Sequence, residues 1–182
     1  MKLEDFTHLF ESVYITQRSE EMYWLVNEVE KIKPHTIIEV GVQYGGTLKF
    51  WEQLVEPSDL VIGIDERANT AELIEQKSHW NWKETDRNII LVIGNSTEPE
   101  TIDKVRKALE ARQADLLYIN GDHAFKTVLL DFANYSQFVR DGGLVGFHDL
   151  NLDGPRKLFD SLLGRKLECD AGWGTGLWWK QH

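Results

Sequence analysis

Five short apolar runs constrain the fold more than any other feature of this chain. They are Thr36–Val40, Leu60–Asp65, Asn88–Gly94, Ala114–Ile119 and Leu144–Phe147. Each is rich in Ile, Val and Leu, and each stops at glycine or a polar residue, the pattern of strands buried on both faces. Segments of helical periodicity lie between them. Gln17–Lys33 places Met22, Leu25, Val26, Val29 and Ile32 on one stripe, with Ser19 as its expected cap, Glu20 and Glu21 in its first turn and Pro34 at its end. Thr47–Val55 reads as a helix broken by Pro57-Ser58-Asp59, and Ala71–Lys77 as another. Thr97-Glu98-Pro99-Glu100 matches a capping box with proline in the first turn, opening a helix whose inner stripe is Ile102, Val105 and Leu109. Val128, Leu129, Phe132, Tyr135 and Phe138 mark a further helix, and Asp141-Gly142-Gly143 reads as the turn into the fifth strand. A helix near Pro155–Leu163 and two extended pieces, Lys166–Cys169 and Thr175–Lys180, complete the chain. Alternation of this kind predicts an α/β fold: a doubly wound, mostly parallel sheet with helices on both faces and right-handed crossovers.

The length of 182 residues suits a single domain spanning 1–182. Residues 1–15 are a candidate lid or dimer arm, with a helix packed on its own core as the plainer expectation. The net charge of -10, with Lys and Arg scattered, argues against nucleic-acid partners. Cys169 is the only cysteine, so no internal disulfide forms, and a reducing, cytoplasmic compartment is expected. No apolar run approaches the ~20 residues needed to span a bilayer, so no membrane partner is expected. Trp80-Asn81-Trp82 is a candidate ligand lid, with packing at the sheet edge the favoured reading. His8, His35, His79 and His182 stand in polar stretches and read as solvated.

The first strand ends in an acid and a glycine-rich turn, Glu39-x-Gly41-x-x-x-Gly45-Gly46. Glycines there let backbone approach a ligand, and the following helix presents free N–H groups to it. The spacing is not that of a dinucleotide pyrophosphate site, and an acid beside the turn would repel phosphate. It suits a cationic ligand such as S-adenosylmethionine, whose amino end Glu39 could bind directly or through water. Asp65, at the end of the second strand, is placed to accept both ribose hydroxyls, with a helix N-cap as its alternative. Asn95 and Ser96 could read the adenine edge or merely shape a turn. Asn120, just after the fourth strand, completes the cofactor-binding set of Glu39, Gly41, Gly45, Gly46, Asp65, Asn95 and Ser96.

Asn120-Gly121-Asp122-His123 follows the fourth strand and Phe147-His148-Asp149 the fifth, so two histidines and two aspartates converge at neighbouring strand ends. Methyl transfer to a hydroxyl needs a group to take the proton, and His123, with Asp149 and His148 beside it, is the catalytic candidate. A divalent metal such as Mg²⁺ could lower the hydroxyl's pKa, with Asn120, Asp122, His148 and Asp149 as its candidate ligands. Each residue also has a plain alternative: Asp122 as a helix cap, His148 and Asp149 as a structural pair.

With these motifs in order, the chain resembles the class I S-adenosylmethionine-dependent methyltransferases, and among them the small O-methyltransferases grouped with cephalosporin-hydroxylase-like and macrocin O-methyltransferase-like proteins. The segments that carry the likeness are Ile38-Glu39-Val40-Gly41 with Gly45-Gly46-Thr47, Ile62-Gly63-Ile64-Asp65, Ile119-Asn120-Gly121-Asp122-His123, Gly142-Gly143, Phe147-His148-Asp149, Gly154-Pro155-Arg156-Lys157 and Gly174-Thr175-Gly176-Leu177. The resemblance implies a Rossmann-like sheet of seven strands with the last antiparallel, cofactor binding by Glu39, Gly41, Gly45 and Asp65, and a general base at His123. Metal-dependent relatives carry an acid where this chain has Asn120, a departure that weighs against a metal. The expected activity is O-methylation of a small-molecule acceptor, a sugar or natural-product hydroxyl, with a homodimer as a candidate assembly. The rivals are a metal-dependent oxygenase built on His123, His148 and Asp149 as a facial set, and a cofactor-binding module without turnover.

Overall fold

The computed structural model describes residues 1–85 and 87–181. The last histidine, His182, lies outside the described residues. Seven strands form one sheet in the order β3-β2-β1-β4-β5-β7-β6. These are β1 Thr36–Val40, β2 Leu60–Asp65, β3 Asn88–Ile93, β4 Ala114–Ile119, β5 Val139–Phe147, β6 Lys166–Cys169 and β7 Thr175–Trp179. The first five strands are parallel, and β7 runs antiparallel between β5 and β6. The α/β, Rossmann-like architecture expected from the alternation is therefore the one observed. Neighbouring residues on a strand point to opposite faces. Ile38, Ile62, Leu117 and Val145 meet the helices α5 (Pro99–Leu109), α6 (Phe125–Tyr135) and α7 (Asp153–Ser161) through Val105, Val128 and Phe159. Ile37, Val61, Leu116 and Leu144 meet α1 (Leu3–Ser12), α2 (Ser19–Glu30), α3 (Gly46–Leu54) and α4 (Thr70–Lys77) through Phe6, Leu25, Leu48 and Ile74. Burial on both faces is why the central strands read as unbroken apolar runs.

Several local expectations change. Ser19 is the first helical residue of α2 and makes no cap bond; Arg18 occupies the N-cap position. The capping box does not form either. Glu98 holds the N-cap position of α5 without a side-chain bond, Pro99 opens the helix, and the Thr97 hydroxyl donates to Asn95 instead. Asp141-Gly142-Gly143 is not a turn before β5 but an irregularity within it: the register against β4 shifts between Ala114 and Leu116, and Gly142 takes φ +72°. The segment 1–15 carries a helix whose buried Phe6 packs on Phe10, Tyr23 and Phe50. Trp80 is buried in the core with the Lys49 ammonium 4.6 Å from its ring, which removes it as a lid. Trp178 packs on Phe132, and Trp179 under the Arg165 guanidinium.

Candidate active site

The loops after β1, β2, β3, β4 and β5 border one cleft of about 980 Å³ at the carboxyl edge of the sheet, on either side of the point where strand order reverses from β1 to β4. Its walls include Gly41, Asp65, Asn95, Ser96, Asn120, Asp122, His123, His148 and Asp149, so most of the residues proposed from sequence share one space.

Three do not reach it. Glu39 is 0 % exposed and lies beneath the floor, where Trp51 Nε1 donates to its carboxyl at 3.1 Å and Oε1 has no partner. Burial pushes its pKa well above the usual carboxylate range, against the opposing pull of the Trp51 and Thr47 hydrogen bonds. The expected direct contact of Glu39 with a cationic ligand is thus corrected: its strand position points it into the core on the α2–α3 side. Gly45 and Gly46 shape the start of α3 instead of lining the cleft; Gly45 packs against Ile74, and Gly46 against the backbone of Tyr14. Gly41 does border the ligand space and is there by necessity. Its φ is +90°, and a Cβ would stand 2.1 Å from the Asn120 carbonyl oxygen, so two strand-end turns pass each other only because it has no side chain.

Asp65 is held ionised. Burial alone would raise its pKa, but the Arg67 guanidinium and the amides of Arg67 and Gln43 lower it further than burial raises it. Oδ1 accepts from Arg67 N and Nε, both at 3.0 Å; Oδ2 accepts from Gln43 N at 2.8 Å and Arg67 Nη2 at 3.0 Å. Asn95 forms a turn, its Oδ1 accepting from Thr97 N and Oγ1 at 2.9 and 2.7 Å. The Ser96 carbonyl accepts from the Tyr135 hydroxyl at 2.7 Å. Asp122 plays the plain role weighed for it. Its oxygens gather the His123 amide at 2.7 Å, the Ala124 amide at 3.2 Å and the Thr127 hydroxyl at 2.7 Å, ordering the turn into α6. Those bonds, the Thr127 one foremost, hold its pKa down.

His123, His148 and Asp149 form a chain. Asp149 lies two residues beyond β5 in the left-handed region, φ +56°, which turns its carboxylate back between the two rings. Its Oδ2 lies 2.9 Å from His123 Nε2 and 2.9 Å from His148 Nδ1. His148 Nε2 in turn lies 2.8 Å from Glu21 Oε1. Burial would lower the His148 pKa, but the two carboxylates outweigh it and push it up to about 9. Burial would raise the Asp149 pKa; His148 and His123 bring it below its ordinary value. His123 is half-exposed and borders the cleft.

This arrangement does not fit a metal. Among the described residues no group of three or more His, Cys, Asp and Glu side chains is placed to hold one. The physical reason is local: both His148 nitrogens face carboxylates and carry protons, leaving no lone pair for a metal, and Asp122 is spent on the turn. The facial set of His123, His148 and Asp149 and the ligand set of Asn120, Asp122, His148 and Asp149 are both set aside on that ground.

A family model described as Rhamnosyl O-methyltransferase/CmcI matches residues 3–176. The chain belongs to that family. It is a class I methyltransferase of the small O-methyltransferase group. Solved structures share the fold at low identity. The O-methyltransferase from Bacillus cereus in complex with SAH is 13% identical, with a TM-score of 0.68 over 96% of this chain and 88% of that one. The O-methyltransferase TomG from Streptomyces achromogenes, in complex with SAM, is 11% identical, with a TM-score of 0.69 over 100% and 92%. A methyltransferase from Geobacter sulfurreducens is 14% identical, with a TM-score of 0.68 over 100% and 91%. No curated protein matches the sequence.

Three site participants escaped the sequence reading, Glu21, Arg67 and Gln43, as did the buried acid Asp131, which does not line the cleft. Glu21 carried a signal, since it lies one helical turn before Leu25 and two before Val29 on the buried stripe of α2, where an acid is out of place. Asp131 carried the same signal, one turn before Tyr135 on α6. Arg67 and Gln43 carried none, because only folding brings their amides to Asp65.

Proposed function

We propose that the protein transfers the methyl group of S-adenosylmethionine to a hydroxyl of a small molecule, a sugar or related natural product. Asp65, Gly41, Asn95, Ser96 and Asn120 bind the cofactor, and His123 is the proton acceptor. The observation that carries the reading is the single cleft joining Gly41 and Asp65 to the His123–Asp149 pair at adjacent strand ends. The family description and the SAH- and SAM-bound neighbours support it.

The chemistry follows from the pair. The acceptor oxygen attacks the sulfonium methyl carbon in line, the C–S bond breaks, and its electrons stay on sulfur as a neutral thioether. Since Asp149 is an acceptor, His123 Nε2 carries the proton between them, and Nδ1 has the lone pair that takes the hydroxyl proton. Asp149 then stabilises the imidazolium. Alignment of oxygen, methyl and sulfur supplies much of the rate.

The net charge of -10 and the lone Cys169 support a cytoplasmic enzyme without nucleic-acid partners. Among the described residues no helix is long and apolar enough to cross a membrane. Calorimetric titration with S-adenosylhomocysteine tests the cofactor half: saturable binding is expected, and no heat at millimolar ligand overturns it. With methyl α-rhamnopyranoside as a probe acceptor, His123→Ala is expected to lower kcat by about 10²–10⁴-fold while leaving S-adenosylhomocysteine affinity in place.

A further inference from the structure

Glu21 has no part in the reaction just described, yet both of its carboxylate oxygens are engaged by groups of the site. It stands on α2, 127 residues before His148, and is 0 % exposed. Both oxygens are engaged: Oε1 lies 2.8 Å from His148 Nε2, and Oε2 accepts the Trp173 amide at 2.7 Å. Gly172 makes the second contact feasible, because its φ is +63° and a Cβ there would stand 2.1 Å from Oε2. A buried carboxylate is costly unless fully paired. Here both partners belong to the cleft: His148 leads on to Asp149 and His123, and Trp173 borders the opening.

Donor and acceptor matching runs down this chain without a break. A carboxylate only accepts, so each His148 nitrogen donates, one to Glu21 and one to Asp149. Asp149 Oδ2 therefore holds a fixed place, with His123 Nε2 2.9 Å from it. Without an anchor at Glu21, His148 is free to turn its ring or present a bare nitrogen to Asp149, and the orientation of His123 is no longer set.

We propose that Glu21 is a positioning residue for His123, acting through His148 and Asp149 to hold the ring with Nδ1 turned to the acceptor hydroxyl, and tying the Trp173 loop to the same anchor. This rests on the assignment of His123 as proton acceptor. The test has an arm that needs no acceptor. In ¹⁵N spectra of the histidine rings of the S-adenosylhomocysteine complex, His123 is expected as a single tautomer protonated on Nε2. Glu21→Leu is expected to give a mixture of tautomers, and Glu21→Gln, whose oxygen still takes the Trp173 amide, to restore the single one. A wild-type His123 protonated on Nδ1, or an unchanged spectrum in Glu21→Leu, overturns the proposal. If Glu21→Leu does not fold, His148→Gln cuts the same chain one link nearer and is held to the same outcomes. In turnover with methyl α-rhamnopyranoside, Glu21→Leu is expected to lower kcat about ten-fold or more with KM and cofactor affinity little changed. In a His123→Ala background it is expected to change kcat by less than about two-fold, since the two residues act as one unit. Equal losses in both backgrounds overturn the proposal. Unchanged kcat in His123→Ala alone overturns the functional assignment of His123 instead, and the spectra still decide whether Glu21 sets its tautomer.

Discussion

Asp131→Asn should stabilise this protein at pH 8 and lose that advantage at pH 4. Asp131 lies on the inner face of α6, 0 % exposed, and neither carboxylate oxygen has a hydrogen-bond partner. Burial, the largest effect on it, raises its pKa from 3.8 to about 6. A folded-state pKa above the unfolded one means the native state binds the extra proton. Stability is then complete below pH 3.8 and is lost as pH rises through about 6. The shift of about two units corresponds to roughly 3 kcal/mol at pH 8 and about 0.5 kcal/mol at pH 4. The amide of asparagine removes that cost but brings donors of its own into the same dry place, at about 1–2 kcal/mol. The net expectation is a gain of about 1–2 kcal/mol at pH 8, read as a higher urea midpoint with an unchanged slope, and a small loss at pH 4. Both points stay clear of the isoelectric region near 5.0. An Asp131→Asn variant no more stable than wild type at pH 8, or a difference that does not shrink toward pH 4, would refute the account of an unpaired buried carboxylate.

Two further outcomes follow from the cofactor end of the cleft. All the lone-pair sites of Asp65 are taken, two of them by Arg67 side-chain nitrogens, so a ribose diol binds only after the guanidinium moves off. Arg67→Met is expected to tighten S-adenosylhomocysteine binding by about two- to five-fold, the size of a partly exposed ion pair; weaker binding measured by calorimetry would show that Arg67 orients the acid instead of covering it. Glu39 is fully buried beneath the cleft floor, where Trp51 Nε1 donates to it and burial pushes its pKa up. Glu39→Gln is accordingly expected to leave cofactor affinity within about two-fold, and a ten-fold loss would return Glu39 to the binding set.

The strands were legible because burial on both faces leaves no polar alternation: Leu60-Val61-Ile62-Gly63-Ile64 reads as one apolar run since α-helices cover both sides. Asp65 and His123 were legible because a polar residue at the end of such a run has only the carboxyl edge to occupy. The helix starts were less so. Ser19 and Thr97 are good capping residues by type, yet the chain enters α2 and α5 with Arg18 and Glu98 in the cap position, and Thr97 finds a nearer partner in Asn95. Local chemistry offers several bonds of similar strength, and tertiary geometry chooses among them. Glu39 misled for a related reason: its place before a glycine turn speaks of a ligand, but alternation along the strand sends its side chain below the sheet edge.

The order of residues alone determined that helices and parallel strands would alternate, and that acids, amides and histidines would collect where those strands end, since periodicity and turn chemistry act over a few neighbouring positions. Only the folded chain decided which of them meet. Glu21 reaches His148 across 127 positions, Arg67 closes on Asp65, and Asp131 is left without a partner. Such pairings depend on how helices seat against the sheet to within a hydrogen-bond length, a distance that no local pattern encodes.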